Sequence, residues 1–146
     1  MKIEVREIIF GSIEHEFEVK LRQKILRDPL GLKLSQEELK NEFNHYHIGA
    51  FKNEVLVGCL VLSPLDKKII KMRQVAVDSS VQGLGVGTSL VSFSENVSRS
   101  KGFLQIQLNA RLTAVSFYLK LGYETDGEVF NEVAIPHRKM KKIIAV

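Results

Sequence analysis

The chain has 146 residues, 45% of them hydrophobic and only three of them proline, which is enough for one domain with an ordinary core. No apolar run has the length of a membrane span or the pattern of a secretory signal, and the single cysteine, Cys59, excludes an internal disulfide. We therefore predict one cytoplasmic domain over residues 1–146, without a membrane partner and with Cys59 as a small buried core residue.

The formal net charge of +4 comes largely from two basic groups, at residues 67–73 and 137–142. Both groups attract anions, but their charges alternate with apolar residues as exposed strand positions do. A nucleic-acid-binding surface needs its charges on one helix face or interleaved with aromatic residues. We therefore expect no nucleic-acid partner.

Hydrophobic periodicity divides the first half of the chain into strands and helices. Alternating apolar residues predict strands at 2–10, 55–62 and 69–77. Another strand is predicted to follow the polar run 44–47 and to end near Phe51. Helical spacing predicts one helix at 16–27, which Asp28-Pro29 ends, and a short one to residue 43 that a Ser35-x-x-Glu38 capping box begins. Asn53 is predicted to form a hairpin turn between two of the strands.

The second half continues with alternating helices and strands. The pattern predicts helices at 87–100 and 112–121, and strands at 103–108, 124–130 and 132–144. The element order is therefore β-α-α-β-β-β-α-β-α-β-β. This order, with no repeats or linkers, predicts a single α+β domain with a mixed, mostly antiparallel sheet.

The most informative segment runs from Gln82 to Thr88, between a predicted strand and a predicted helix, and has glycine at 83, 85 and 87. Alternate glycines let the backbone approach a bulky anion, and the first amides of a helix have no partners within it. The segment therefore predicts a phosphate or pyrophosphate site, with a tight structural turn as the alternative. The spacing matches neither a P-loop nor a Gly-x-Gly-x-x-Gly dinucleotide site.

The pattern Gln-x-x-Gly-x-Gly from Gln82 resembles motif A of the GNAT superfamily, the acetyl-CoA-dependent N-acetyltransferases. The segment from Ala114 to Tyr123, which contains Tyr118 and ends in a Gly-aromatic pair, resembles motif B and follows motif A in the family order. The run from Glu132 to His137 resembles the ElaA-like branch of the superfamily. The resemblance implies a GNAT-like α/β/α fold with acetyl-CoA as co-substrate.

In this superfamily the strand before the glycine loop hydrogen-bonds the pantetheine arm of CoA, and amides of the loop bind its pyrophosphate. The resemblance assigns cofactor contacts to ten positions: Val75, Ala76, Val77, Gln82, Gly83, Gly85, Val86, Gly87, Thr88 and Tyr118. Most of these contacts use backbone groups. Only the glycine positions therefore have strict side-chain requirements.

Direct acetyl transfer needs a free amine, a polarised thioester carbonyl and a proton donor for the departing thiolate. The resemblance gives the donor role to Tyr118, which is alternatively a helical tyrosine with a satisfied hydroxyl. A backbone amide near Val75 would polarise the carbonyl. Glu132 and His137 are the best candidates for the base, because a histidine titrates near neutral pH. Alternatively, Glu132 is a surface strand residue and His137 fixes a turn after Pro136.

Three further polar positions stand out. His45 and His47 are two apart on a predicted strand and face one way, but neither has an acid or a cysteine at ligand spacing, so we expect no metal. Arg22 contacts an anionic acceptor or faces solvent. Many superfamily members have asparagine where this chain has Arg111, and Asn109 lies two residues earlier, so that asparagine's role is not assigned here.

The sequence predicts a CoA-dependent N-acetyltransferase that acts on a primary amine of a small molecule or peptide, by direct transfer within a ternary complex. The alternative is a non-catalytic acyl-CoA-binding sensor or interaction module, which would bind acyl-CoA without turnover. A small basic nucleic-acid binder is a third alternative, with salt-sensitive retention on DNA. An exposed C-terminal strand would allow a homodimer to form by strand pairing.

Overall fold

The structure is a computed structural model that describes residues 2–145. The strands are β1 (Ile3–Ile8), β2 (Tyr46–Lys52), β3 (Val55–Pro64), β4 (Ile69–Val77), β5 (Gln105–Arg111), β6 (Glu124–Thr125), β7 (Phe130–Glu132) and β8 (Ile135–Ile143). The α-helices are α1 (Ile13–Arg22), α2 (Gln36–Lys40), α3 (Val86–Ser100) and α4 (Val115–Lys120). None of the helices in residues 2–145 combines the length and the apolar character that crossing a bilayer requires.

The described chain divides into two compact units. The first consists of the residues up to Ser63 together with Gln74–Ser94, and the second consists of Pro64–Arg73 and the residues from Glu95 onward. Each unit therefore combines segments that are far apart in the sequence.

The first unit is built on antiparallel strands. β1 pairs with β2 from Ile3↔Lys52 to Ile8↔His47, and β2 pairs with β3. Asn53 and Glu54 join β2 to β3, and both have left-handed backbones, with φ of 50° and 67°. A two-residue loop with two positive φ angles matches the twist of the flanking strands. The predicted hairpin turn at Asn53 is therefore confirmed.

Helix α1 covers one face of this sheet. It begins at Ile13, three residues earlier than predicted, because the Ser12 hydroxyl caps it by accepting from the His15 amide at 3.2 Å. Leu21 on this helix packs with Cys59 and Ala76 in the core. Cys59 is fully buried, which confirms its predicted place, and burial raises the pKa of its thiol. The thiol is therefore not poised for reaction.

The second unit contains the parallel pairing of the fold. β4 pairs with β5 in parallel from Ile69↔Gln105 to Met72↔Leu108, whereas β8 pairs antiparallel with β5, β6 and β7. The predicted α+β class, with a mixed and mostly antiparallel sheet, is therefore confirmed. β8 has strands on both sides, so the expectation of an exposed last strand available for dimerisation is wrong.

The predicted strand at 124–130 is also wrong. The structure has two short strands there, β6 and β7, separated by a turn in which Gly127 has a φ of 92°. Val133 and Ala134 form a left-handed turn between β7 and β8, so the last strand begins at Ile135. Strands of two or three residues are too short to show the periodicity on which the prediction relied.

Candidate active site

The glycine loop has the backbone geometry that its sequence predicts. Gly83 and Gly85 have φ angles of 83° and 80°, which L-residues with a side chain rarely adopt. A Cβ added at either position would meet no atom of the chain within 4 Å. These glycines are therefore required by backbone conformation, and the space in front of them is open.

The loop leads directly into the N-terminus of α3. The amide of Ser89 donates to the carbonyl of Gly85 at 3.0 Å, which makes it the first amide of the helix with a partner four residues back. The amides of Val86, Gly87 and Thr88 precede it and have no acceptor within the helix. A helix start with such amides and a positive dipole end suits a phosphate oxygen. Gln82 differs from this set, because its amide already donates to the Ser79 carbonyl at 3.4 Å.

Close packing against β3 fixes the start of α3. A Cβ at Gly58 would lie 3.0 Å from Val86 Cγ1 and 3.0 Å from Leu90 Cδ1, so only glycine lets the helix approach this closely. Val86 is 1% exposed although its loop neighbours are exposed. It therefore anchors the glycine loop to the core. The sequence reasoning missed Gly58, since an isolated glycine in a strand indicates close approach without naming the neighbour.

Asp78 fixes the other end of the loop. Its carboxylate accepts from the amide of Ser80 at 2.9 Å and from the Ser80 hydroxyl at 2.7 Å, and its own amide donates to the Val57 carbonyl at 2.8 Å. Lys24 lies 3.1 Å from the same carboxylate. The hydrogen bonds from Ser80, and then Lys24, lower the pKa of Asp78 to about 2. The sequence reasoning missed this residue, although Asp-Ser-Ser before a turn is a capping signal.

The strand that precedes the loop is irregular where the pantetheine arm was predicted to bind. Gln74 has a φ of 57°, which is unusual for a residue with a side chain and interrupts the regular strand geometry before Val75. Its buried Oε1 has no hydrogen-bond partner among residues 2–145. Val75 and Val77 are partly buried, and Ala76 packs into the core. No sequence signal announced the left-handed Gln74.

Tyr118, the predicted proton donor, lies on α4 and is 6% exposed. Its ring makes edge contacts with Phe117 and Tyr123, with ring centroids 5.0 Å and 5.7 Å away. Burial raises the pKa of Tyr118 to about 12, so the hydroxyl keeps its proton at neutral pH. Burial is the cause of this shift, and residues 2–145 provide no hydrogen bond to the hydroxyl. Its role as the proton donor stays a prediction.

Tyr123, five residues later, is held quite differently. Its hydroxyl donates to Glu95 Oε2 at 2.9 Å, and Lys142 Nζ lies 3.1 Å from the same carboxylate. Lys142 also donates to the Leu121 carbonyl at 2.8 Å, which ties the end of α4 to β8. Burial and the Glu95 carboxylate both raise the pKa of Tyr123. This tyrosine has a structural role that contrasts with the unpartnered hydroxyl of Tyr118.

The structure brings the predicted pair Glu132 and His137 together. Glu132 Oε2 lies 3.6 Å from His137 Nε2 across the β7–β8 turn. Asn109 Nδ2 donates to Glu132 Oε1 at 3.1 Å, so Asn109 joins the group from β5. The side chain of Glu132 is 47% exposed, whereas that of His137 is 5% exposed. Sequence reasoning named Asn109 but gave it no role here.

The ring of His137 has a defined tautomer. Its Nδ1 lies 2.7 Å from the Ile135 carbonyl, which only accepts, so Nδ1 carries a proton and donates. In the neutral ring Nε2 is then the nitrogen with a free lone pair, and it faces Glu132. Phe130 stacks on the ring with centroids 6.0 Å apart, which restricts its orientation. A buried imidazole with one lone pair beside a carboxylate has the arrangement of a general base.

Arg22 neither contacts an anionic ligand nor faces solvent, so both expectations for it are wrong. It is fully buried and donates to both carboxylate oxygens of Glu42, at 2.8 Å and 2.9 Å, and to Glu18 at 2.9 Å. His47 Nδ1 lies 2.9 Å from the same Glu18 carboxylate. These four residues form a buried ionic cluster between α1, β2 and the segment after α2.

His45 precedes β2, and its ring lies 3.0 Å from the Ser63 hydroxyl. The expectation that His45 and His47 share a strand is therefore wrong. The reason given for expecting no metal is also wrong, because Glu18 does lie beside His47. Donor atoms of His15, Glu18 and His47 lie within 4.8 Å of one another. Their lone pairs are engaged by hydrogen bonds, since Gly11 donates to His15 Nδ1 and Arg22 to Glu18. The absence of a metal stays a prediction.

Known proteins resemble the chain over most of its length. A family model described as an acetyltransferase (GNAT) domain matches residues 26–144. The chain is 30% identical over 129 residues to "Probable N-acetyltransferase 14" of Xenopus tropicalis, covering 79% of this chain and 63% of that protein. It thus spans 63% of that relative's length, and 51% of the length of the uncharacterized protein YyaT of Bacillus subtilis.

Solved structures share the fold. ElaA of Escherichia coli is 21% identical with a TM-score of 0.80, and the match covers 97% of this chain and 99% of ElaA. An aminoglycoside 6'-N-acetyltransferase complexed with coenzyme A is 21% identical with a TM-score of 0.81, and the match covers 98% of each chain. At 21% identity, the similarity to these two solved structures establishes the fold alone.

The family match and the local geometry agree. The residues matched by the family model include the glycine loop and the helix that carries Tyr118. The loop has two left-handed glycines and leads into a helix whose first amides have no acceptor within the helix, as motif A requires. The chain belongs to the family of acetyltransferase (GNAT) domains.

Proposed function

We propose that residues 1–146 form one domain that transfers an acetyl group from acetyl-CoA to a primary amine of a small molecule or peptide. The observation that carries this proposal is the open, glycine-built start of α3 in a member of the GNAT family. The aminoglycoside acetyltransferase complexed with coenzyme A supports both the co-substrate and the amine class of acceptor. The single buried thiol suits a reducing compartment, so we place the reaction in the cytoplasm.

The glycine loop would hold the pyrophosphate of acetyl-CoA. The amides of Gly83, Gly85, Val86, Gly87 and Thr88 are the proposed donors, because the first amides of a helix lack internal partners. Gln82 lies at the start of the loop. Its amide already donates to the Ser79 carbonyl, so we do not count it among the pyrophosphate donors. The open space before Gly83 and Gly85 fits a bulky anion.

The backbone of Val75, Ala76 and Val77 would hydrogen-bond the pantetheine arm as an added strand does. The left-handed Gln74 immediately before them changes the direction of the backbone groups there. An amide next to this irregularity would polarise the thioester carbonyl, as oxyanion-hole donors do. The acceptor amine then attacks the carbonyl carbon, and the tetrahedral intermediate expels the CoA thiolate.

Tyr118 would donate the proton that the departing thiolate needs. Because burial raises its pKa to about 12, the hydroxyl is protonated throughout the neutral range and is available as an acid. Glu132 and His137 form the proposed base that removes the proton of the attacking amine. The proton lost by the amine and the proton gained by the thiolate balance, and no covalent enzyme intermediate forms.

The proposal is tested first by ligand binding. Acetyl-CoA at a hundred times its dissociation constant should stabilise the folded chain by about 2.7 kcal/mol, measured as a thermal shift. Gly85→Glu should abolish the shift, since the larger side chain is strained at φ 80° and its charge repels the phosphates. Gly127→Glu, at another left-handed glycine in the β6–β7 turn of the second unit, is the matched control and should keep the shift.

Release of free CoA thiol in the presence of primary amines tests the reaction itself. Turnover with at least one amine, lost in Gly85→Glu, supports the acetyltransferase. Tight acetyl-CoA binding without turnover for any amine would instead identify a non-catalytic acyl-CoA sensor. A folded native chain that acetyl-CoA does not stabilise would leave residues 82–88 as a structural turn.

A further inference from the structure

Asn109, Glu132 and His137 lie on one face of neighbouring strands in the second unit. The register pairs Arg111 with His137 and Phe130 with His137, so these side chains share a face. Asn109 lies two residues before Arg111 on β5 and therefore points to that face as well. Three strands thus bring an amide, a carboxylate and an imidazole together.

The carboxylate of Glu132 needs a fixed neighbour if it is to act in a defined direction. Glutamate has three rotatable bonds, and this one is 47% exposed on a three-residue strand. The hydrogen bond from Asn109 Nδ2 to Oε1, at 3.1 Å, uses one oxygen and leaves Oε2 toward His137. Asn109 itself is partly buried and pairs with Lys139 of β8, so its backbone provides a fixed support.

We propose that Asn109 is the positioning residue of Glu132, that Glu132 Oε2 binds the ammonium group of the acceptor, and that His137 Nε2 takes its proton. This inference rests on the proposed acetyltransferase function. It narrows the acceptor to a primary alkylamine, which arrives as a cation, in preference to an uncharged aromatic amine.

The exposure of Glu132 and of His137 fits the different roles proposed for them, one in binding the cation and the other in accepting its proton. Glu132 is half exposed, so it stays solvated and attracts a cation before any chemistry takes place. His137 is nearly buried and has its Nδ1 proton fixed on the Ile135 carbonyl, so only Nε2 can accept. The 3.6 Å between Glu132 Oε2 and His137 Nε2 is too long for a direct hydrogen bond. An ammonium group can donate to both atoms at once.

The proton transfer is balanced within this group. One N–H bond of the ammonium breaks and an Nε2–H bond forms, which leaves a neutral amine with a lone pair and an imidazolium. The carboxylate of Glu132 is the adjacent counter-charge for that imidazolium. The lone pair of the amine is then free to attack the thioester.

The contact can be tested without any turnover. In the native protein, ¹⁵N–¹H spectra of the Asn109 side-chain amide should change when Glu132 is replaced by alanine. Glu128→Ala, which removes a neighbouring exposed carboxylate, should leave that resonance in place. Titration with 2-phenylethylamine should perturb the Asn109 amide in the native chain and not in Glu132→Ala. An unchanged Asn109 resonance in Glu132→Ala overturns the positioning role.

Kinetics then separate the roles. With 2-phenylethylamine as acceptor, Glu132→Gln should raise KM about tenfold, because it removes a binding charge, and should lower kcat far less than His137→Gln does, because the base itself is kept. Asn109→Ala should raise KM in the same direction, and add little to Glu132→Gln, since both changes remove one contact. His137→Gln should lower kcat by about 10²-fold with little change in KM, as loss of a general base does.

The matched acceptor is 4-methylaniline, which is uncharged at neutral pH. Its KM should change far less than that of 2-phenylethylamine in both Glu132→Gln and Asn109→Ala. Additive effects of Asn109→Ala and Glu132→Gln, or an equal loss for both amines, would overturn the inference. If no amine is acetylated while the spectral contact persists, the proposed function fails and the Asn109–Glu132 contact stands as structural.

Discussion

Nδ1 of His47 lies 2.9 Å from Oε1 of Glu18 in the interior of the first unit, and both side chains are almost completely excluded from solvent. The other ring nitrogen, Nε2, lies 3.0 Å from the carbonyl oxygen of Glu42, which can only accept. Both nitrogens therefore donate, and the ring is an imidazolium. With Arg22 and the carboxylates of Glu18 and Glu42 it forms a balanced set of two positive and two negative charges.

The charge of His47 predicts a loss of stability at alkaline pH. Burial lowers its pKa, but the hydrogen bond and charge of Glu18 outweigh it, so the pKa of His47 is raised above the ordinary 6.5. When a histidine has a higher pKa in the folded chain than in the unfolded chain, its charge stabilises the fold fully at pH values below the unfolded-state pKa. That stabilisation is lost as the pH rises through the folded-state pKa. Urea titrations from pH 6 upward should show the unfolding free energy falling more steeply in the native chain than in His47→Gln. Equal slopes would contradict the imidazolium.

The neighbouring His15 predicts the opposite dependence below neutral pH. Burial is the main cause that lowers the pKa of His15, and its ring lies 5.0 Å from that of His47. A folded state that holds this histidine neutral loses stability as pH falls below the ordinary value of 6.5. The acid loss between pH 6.5 and 5 should be smaller in His15→Gln, which keeps an acceptor for the Gly11 amide. A native curve that stays flat in that interval would refute the assignment.

Replacing Arg22 in the buried ionic cluster should lower the free energy of unfolding substantially. Arg22→Met removes the cation that donates to both the Glu18 and the Glu42 carboxylates, and removing one partner of a buried ion pair destabilises by about 3–5 kcal/mol. Arg27→Met is the matched control, because Arg27 lies 3.6 Å from Glu38, whose side chain is 43% exposed. A half-exposed pair contributes about 0–1 kcal/mol. Chemical denaturation of both variants measures the difference, and similar losses would show that Arg22 is not specially held.

Local patterns in the sequence predicted much of the fold. The strand at 69–77 was predicted with the bounds that β4 has, and Ser35 caps α2 through the Glu38 amide as its spacing indicated. Both features depend on residues within a few positions of one another. The strands β6 and β7 escaped prediction because two or three residues carry no periodic signal.

Contacts between distant parts of the chain explain what the sequence did not reveal. His47 and Glu18 are 29 residues apart, and Asn109 and Glu132 are 23 apart, so no spacing rule connects either pair. Arg22 was expected to contact an anionic acceptor or to face solvent, because Glu42, 20 residues away, becomes its neighbour only in the folded chain. The glycine loop was visible because its chemistry is contained in seven consecutive residues.

Gly58 predicts a link between core packing and the glycine loop. A Cβ there would lie 3.0 Å from side-chain atoms of Val86 and Leu90 at the start of α3, so Gly58→Ala requires these side chains to shift by a few tenths of an ångström. Overpacking of this kind costs about 1–3 kcal/mol. Because Val86 belongs to the loop, acetyl-CoA affinity should fall together with stability. Ile8→Ala, a buried change in β1, two strands away from Gly58, should reduce stability without reducing affinity for acetyl-CoA measured by titration calorimetry.

Tyr118 and Tyr123 provide the sharpest separation of catalysis from structure. Their rings are in contact, with centroids 5.7 Å apart, yet among residues 2–145 only the Tyr123 hydroxyl donates to a protein group, the Glu95 carboxylate. Tyr118→Phe should lower kcat by about 10²-fold, as loss of a general acid does, with little change in melting temperature.

Tyr123→Phe should do the reverse, because it leaves the buried Glu95 carboxylate with one fewer donor, which costs about 1–3 kcal/mol. In the native chain the pKa of about 12 for Tyr118 predicts that kcat shows no loss from tyrosine ionisation between pH 7 and 9. An equal kcat for Tyr118→Phe and the native enzyme would assign the thiolate's proton to water. The unpartnered hydroxyl would then be a feature of packing alone.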